Sequence, residues 1–351
     1  MPPPDLPHRP SGQTMFLAAS VVASVLIVVL LLVLSRRGPD GRAEAAGSRL
    51  RLGDIPFDGA QAYQYLKQLC AIGPRRSGSA GMADQQKLLA DHFQKLGGQV
   101  EFQRFRALHP LDGSEVHMAN LIVHWAPASK QRIMLCAHYD TLPLPMRDPQ
   151  NPQGVFLGAN DNGSGVAILM ELGREMAQSP GSWNVDFVFL DGEEHIFSEK
   201  DRYFLGSEFF ARTYAESKPP YRYRWGVLLD MVGQTNLRLY QERHSVSWPD
   251  TRPLVQSLWA TAARLGVGEF IARVDTNLPL GIRDDHLPLH DLGGIPTCDV
   301  IDMDYPPWHT QGDTPDKCSA LSLAKVGWVL REWLKKELEA RSQESGARSK
   351  K

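Results

Sequence analysis

Phe187-Val188-Phe189-Leu190-Asp191-Gly192-Glu193-Glu194 reads as a buried strand that runs straight into two adjacent acids. A run of Phe, Val and Leu ending at Asp-Gly has the pattern of a central strand leaving a sheet. In open α/β sheets, ligands bind just beyond the carboxyl ends of the strands. Neighbouring glutamates at such a point repel each other, and a bound cation offsets that charge. A metal held by one glutamate leaves the other free as a base. An isolated Glu-Glu pair reads more readily as a solvated acidic turn, so the rest of the chain has to supply the case.

Working outward, other acids and histidines follow other apolar runs. His138 follows residues 133–137, Asp230 follows residues 225–229, and His309 lies beyond residues 297–301. Asp161 precedes Asn162-Gly163-Ser164-Gly165, which opens a helix expected over 166–176. Further strands are expected over 100–105 and 119–124. Further helices are expected over 58–72, 80–96, 201–214, 254–265 and 321–340. Strands alternating with helices predict an α/β, three-layer sandwich around a central mixed, mostly parallel sheet. Taken singly, His138 or His309 reads as a hydrogen-bonded structural residue, Asp161 as a helix cap and Asp230 as a turn residue. His286, in a turn-rich segment with Asp284 and Asp285, reads as positioning neighbouring carboxylates. Together the acids and histidines all fall at one sheet edge. Carboxylate and imidazole donors without thiolate suit zinc in an open, catalytic site.

Composition sets the outer bounds. The chain has 351 residues and a formal net charge of −2, so it lacks the basic footprint of a nucleic-acid-binding protein. Its four cysteines, Cys70, Cys136, Cys298 and Cys318, show no CxxC spacing. Residues 1–14 read as disordered and residues 35–53 as a linker. Residues 15–34 carry no charge, and at about 1.5 Å per residue they reach across a bilayer core of about 30 Å. A single-pass N-terminal membrane anchor is favoured over a cleaved signal peptide, whose apolar core is shorter. Arg36, Arg37 and Arg42 after the span argue for a cytoplasmic catalytic part. The expected function argues for an extracytoplasmic one. The catalytic domain is expected over 54–340 and a polar, solvated tail over 341–351.

The ordered segments Ala137-His138-Tyr139-Asp140, Gly158-Ala159-Asn160-Asp161-Asn162-Gly163-Ser164-Gly165, Asp191-Gly192-Glu193-Glu194, Asp230-Met231-Val232-Gly233 and Trp308-His309-Thr310 resemble the zinc aminopeptidase superfamily that also contains the glutaminyl-peptide cyclotransferases. The resemblance runs from about residue 55 to 340. It implies His138, Asp161, Glu194, Asp230 and His309 as metal ligands, Asp161 bridging in two-zinc members. It implies Glu193 as general acid/base and Asp140 as the partner that orients His138. Substrates would be peptide or protein N-termini. An aminopeptidase of this kind uses two zinc ions and a water. A cyclase uses one, through Asp161, Glu194 and His309, and closes an N-terminal Gln to pyroglutamate. Asp284-Asp285-His286-Leu287-Pro288-Leu289 is similar to the cyclase signature, in which the first acid, here Asp284, joins a network with Glu193 and Asp230. Trp308 beside His309, positioned to stack on substrate, and the insert over 195–205 are cyclase-like as well. The Asp161 motif and Gly312-Asp313-Thr314 are aminopeptidase-like. Phe197 or Ser198 stands where cyclases carry a tryptophan, and Asp299 where they carry a histidine. The reading is a cyclase-type enzyme. The alternatives are an aminopeptidase and a non-catalytic peptide-binding relative, against which the intact Glu193 argues.

Overall fold

The computed structural model describes residues 50–126, 128–178 and 183–348, the last eight of these by their backbone alone. The expected disordered segment, the membrane anchor and most of the linker therefore lie outside the described residues. Among the described residues no helix is long and apolar enough to cross a membrane. The strands are β1 (Gln99–Leu108), β2 (Glu115–Trp125), β3 (Gln131–His138), β4 (Val185–Leu190), β5 (Arg222–Asp230), β6 (Leu239–Gln241), β7 (Phe270–Val274) and β8 (Thr297–Ile301). The α-helices are α1 (Gly59–Ala71), α2 (Ala80–Lys95), α3 (Gly163–Ala177), α4 (Leu205–Ser217), α5 (Arg243–Ser247), α6 (Arg252–Leu265), α7 (His286–Asp291) and α8 (Ala320–Arg348).

Six strands form one mixed sheet in the order β1-β2-β4-β3-β5-β8. β1 pairs antiparallel with β2, and β2 with β4. β4, β3, β5 and β8 run parallel to one another. Successive strand side chains point to opposite faces, and this alternation divides the core in two. Ile133, Leu135, Phe187, Phe189 and Val227 pack with residues of α1, α2, α3, α6 and α8. Met134, Cys136, Val188, Leu190 and Leu228 pack instead with Phe210 of α4 and Leu289 of α7. Helices thus cover both faces, and a strand buried on both sides reads as a continuous apolar run. Phe187 and Phe189 are fully buried, each worth roughly 1.5–3 kcal/mol of transfer free energy.

Three expectations are corrected. The packed domain begins before residue 54, since Leu50 packs on the core and Leu52–Asp54 form a 3-10 turn. α8 does not stop near Ala340 but runs to Arg348, so the presumed tail continues a helix. The segment around His286 is not only turns, because His286 opens α7. The small parallel pair β6 and β7 was not foreseen, its strands being too short for alternation to show.

Candidate active site

Parallel strands place their carboxyl ends on one edge of the sheet, and the acids and histidines collect there. His138 ends β3, and Asp230 ends β5. The parallel register pairs His138 with Leu190, the last residue of β4. Beyond Leu190 the chain turns at Gly192, whose φ of 75° suits glycine. A Cβ on Gly192 would lie 2.9 Å from Met118 Sδ. Asp191 ties this turn down by accepting from Ser77 Oγ at 2.7 Å and from the Ala119 N–H at 2.9 Å. Asp140 Oδ1 accepts the Glu193 N–H, and its Oδ2 accepts the Glu194 N–H, both at 3.1 Å. Asp140 Oδ1 lies 3.7 Å from His138 Nδ1, beyond hydrogen-bond range. Its hydrogen bonds therefore fix the Glu-Glu backbone more directly than the imidazole.

Asp161 comes from the start of α3. The helix is capped by its neighbour, because Asn162 Oδ1 accepts the Gly165 N–H at 3.0 Å. The Asp161 carboxylate is thereby left for other partners. Its Oδ1 is 3.1 Å from His138 Nε2, and its Oδ2 is 3.6 Å from His309 Nε2. Asp161 thus lies between two clusters. On one side His138 Nε2 is 3.4 Å from Asp230 Oδ1. On the other, His309 Nε2 is 2.7 Å from Glu194 Oε1, while Glu194 Oε2 accepts the Leu142 N–H at 2.9 Å. His309 holds a left-handed backbone, with φ of 58°, a conformation that non-glycine residues take mostly where surroundings enforce it.

All five of these side chains are buried, as is Glu193. Burial pushes the Glu193 and Glu194 carboxyls well above the usual range. Asp284 adds to the shift of Glu193, and Asp161 to that of Glu194, against the pull of His138. Burial alone would lower His138, yet Asp230 and its other acid neighbours hold it well above its ordinary value. Asp284 is buried and pushed up to about 7 by desolvation and by Asp230. Its Oδ2 has no hydrogen-bond partner. Buried charge of one sign needs a counter-charge. Among the described residues four groups of donors have their atoms within 4.8 Å of one another: His138-Asp161-Asp230 and Asp161-Glu194-His309, which share Asp161, together with His138-Glu193-Glu194 and Asp284-His286-Asp299. Asp161 Oδ2 and Asp230 Oδ1, which face the imidazoles of the first two groups, are buried without a hydrogen-bond partner. Nitrogen and oxygen donors converging with unused lone pairs fit a divalent cation such as zinc.

A cleft of about 400 Å³ opens over this edge, and Asp161, Glu193, Glu194, Asp230, Asp284, Trp308 and His309 all line it. Trp308 stands with its ring centroid 4.3 Å from that of His309. His286 lies behind, fully buried, its Nε2 3.4 Å from Glu242 and its Nδ1 3.7 Å from Asp299. It touches neither cluster at the strand ends. Sequence reasoning missed Glu242. It also quoted Asp313 only as part of a motif. Asp313 accepts the Asn160 N–H at 2.8 Å and the Asp161 N–H at 3.0 Å, and Tyr305 Oη donates to it. Its only signal in the sequence was the Gly312-Asp313-Thr314 triplet.

This edge of acids and imidazoles sits within residues 120–334, which match the model of Peptidase family M28. The chain belongs to peptidase family M28. This M28 chain is 40% identical to the glutaminyl cyclase of Fimbriiglobus ruber, over 80% of its own length and 96% of that chain, with a TM-score of 0.75. It is 29% identical to a Zn-dependent exopeptidase from Parabacteroides distasonis, over 80% and 99% of the two chains, with a TM-score of 0.73. The glutaminyl-peptide cyclotransferase of Drosophila melanogaster is 24% identical over 278 residues, which is 74% of the M28 chain and 75% of that protein. Proteins described as a glutaminyl cyclase and as a Zn-dependent exopeptidase thus share this fold. The family and its zinc-dependent neighbour point to zinc as the cation for the donor groups of the M28 chain.

Proposed function

We propose that the protein is a glutaminyl-peptide cyclotransferase, which converts an N-terminal Gln to pyroglutamate and releases ammonia. The observation that carries this reading is Asp284. It lines the same cleft as Glu193 and Asp230, is buried, and keeps an unpartnered Oδ2. A third carboxyl of that kind suits a site that passes a proton between two nitrogens. The 40% identity to a glutaminyl cyclase supports it.

The roles follow from placement. Asp161, Glu194 and His309 would hold zinc, which when bound supplies polarisation of the substrate's γ-amide carbonyl. Glu193 takes a proton from the substrate's α-amine as that nitrogen bonds to the γ-carbonyl carbon. Glu193 then delivers the proton to the amide nitrogen, the C–N bond breaks and ammonia leaves. No water is consumed. Burial, with the negative charge of Asp284, keeps the Glu193 carboxyl high enough to return the proton. Trp308 lines the cleft where it can stack on the substrate and narrow the entry of water.

A second reading has its own support. His138 and Asp230 complete a second donor group around Asp161, as an aminopeptidase with two zinc ions requires. One experiment separates the two. The purified chain is incubated with Gln-peptides and with Leu-peptides, and ammonia and free leucine are measured. Ammonia from the first without leucine from the second is expected, and the reverse result overturns the proposal. One zinc per chain accompanies the first outcome and two the second.

A further inference from the structure

The floor of the cleft is acidic, whereas among the exposed charged residues that line its rim two arginines stand against the single Glu199. The arginines, Arg147 and Arg283, are exposed and line the cleft. Arg147 places its guanidinium 4.0 Å from the centre of the Trp308 ring, a contact that fixes its plane. Its nearest acid is Glu199, at 3.8 Å and with a side chain 81% exposed, a distance outside hydrogen-bond range. Arg283 immediately precedes the buried Asp284. Its guanidinium lies 6.0 Å from the Phe204 ring, and among the described residues it makes no ion pair. Arg283, exposed beside the cleft and without a carboxylate partner among the described residues, keeps its planar donors free for a ligand.

We infer that this rim selects peptides with an acidic residue just after the N-terminal one, Arg283 being the specificity-determining cation and Arg147 its support. The inference rests on the proposed action at peptide N-termini. An N-terminal residue placed beside Glu193 and Asp161 must leave its following residues to climb out past the rim. Each residue of an extended chain advances about 3.3 Å, so the second and third side chains pass the arginines while the first stays on the floor. A Glu or Asp there meets the free face of Arg283. A Lys there meets two guanidiniums and only the half-engaged Glu199. The fork of an arginine also favours a carboxylate over a neutral side chain, since two parallel N–H groups match its two oxygens.

Three peptides that differ only in their second residue, Gln-Glu-, Gln-Ala- and Gln-Lys-, test this. Each carries a C-terminal fluorophore and is titrated against the full chain bearing Glu193→Gln, with anisotropy reading affinity. In parallel, kcat/KM for ammonia release is measured on the wild-type chain. The Gln-Glu peptide is expected to bind about threefold to fivefold more tightly than the Gln-Lys peptide at low salt, in line with exposed ion pairs. The ratio falls toward one at about 0.5 M salt, where screening is nearly complete. It also falls toward one in Arg283→Ala, and it inverts in Arg283→Glu. Equal affinity for the acidic and lysyl peptides overturns the inference, whether or not either is cyclised. A preference that survives Arg283→Ala intact overturns the assignment to that residue. An acidic preference with no ammonia from any Gln-peptide leaves the rim assignment standing and overturns the cyclase reading instead.

Discussion

The carboxylate of Asp313 accepts the backbone N–H of Asp161 at 3.0 Å, although 152 residues separate the two in sequence. It accepts the N–H of Asn160 as well, so both of its oxygens are engaged in holding the segment that presents Asp161. Asp313→Asn puts an amide NH₂ against one of those N–H groups. The variant is expected to lose about 1–3 kcal/mol of stability, the usual cost of leaving a buried donor unsatisfied. Zinc affinity is expected to fall by about 10- to 100-fold, as when a ligand loses its supporting partner. Thermal unfolding and metal content after dialysis check the two effects, and retention of both refutes the positioning role.

Glu193 sits beside a proposed ligand without belonging to the group formed by Asp161, Glu194 and His309. Glu193→Gln keeps the shape of the side chain and removes its proton chemistry. Turnover is expected to drop by about 10²- to 10⁴-fold, while zinc bound per chain stays at the wild-type value. Full activity in this variant sinks the assignment.

The pH profile carries a separate test. Burial raises Glu193, and the Asp284 carboxylate raises it further. Asp284→Asn removes that negative charge, so the Glu193 carboxyl falls and ionises at lower pH. The acidic limb of kcat/KM is then expected to move to lower pH, along with a fall in kcat. A limb that does not move shows that Asp284 has no electrostatic hold on the base.

Asp302 offers a test of stability away from the strand-end clusters. Its Oδ2 accepts the Arg238 N–H at 2.7 Å and a bond from Gln234 Nε2. Desolvation nonetheless pushes its carboxyl up to about 6, against an unfolded value of about 3.9. A carboxyl raised in the folded state binds its proton more tightly there. Its contribution is present in full below the unfolded value and is lost as pH rises through about 6. Over that window the wild type is expected to lose up to about 3 kcal/mol relative to Asp302→Asn. Urea unfolding of both chains between pH 4 and pH 7, about that range, reads the difference. Parallel pH dependences refute it.

The sequence made the strand-end residues legible for a physical reason. A strand covered on both faces must be apolar throughout, so His138, the Glu193-Glu194 pair and Asp230 stand out at the point where the apolar run stops. Asp161 was legible from the glycines after it. Gly165 has no room for a Cβ, which would lie 2.6 Å from Leu229 O. What escaped are residues whose partners are distant in sequence. Asp313 supports Asp161 from beyond β8, and Glu242 faces His286 from the far side of α6 in the chain. Neither follows an apolar run, and hydrogen bonds to backbone leave no periodic trace. Asp140 lay between these cases. Its place after His138 suggested the imidazole as partner; it lies 3.7 Å from that ring, and its hydrogen bonds reach the Glu193 and Glu194 N–H groups that follow β4.

The register between β3 and β5 has a further consequence. Because side chains alternate along a strand, a slip of β5 by one residue would send Asp230 to the opposite face of the sheet. His138 and Asp161 would then lose the third member of their group. Turnover and metal uptake therefore serve as readouts of strand alignment during refolding: a chain that recovers its helical content with β5 misaligned would look native by circular dichroism and still fail to assemble the centre.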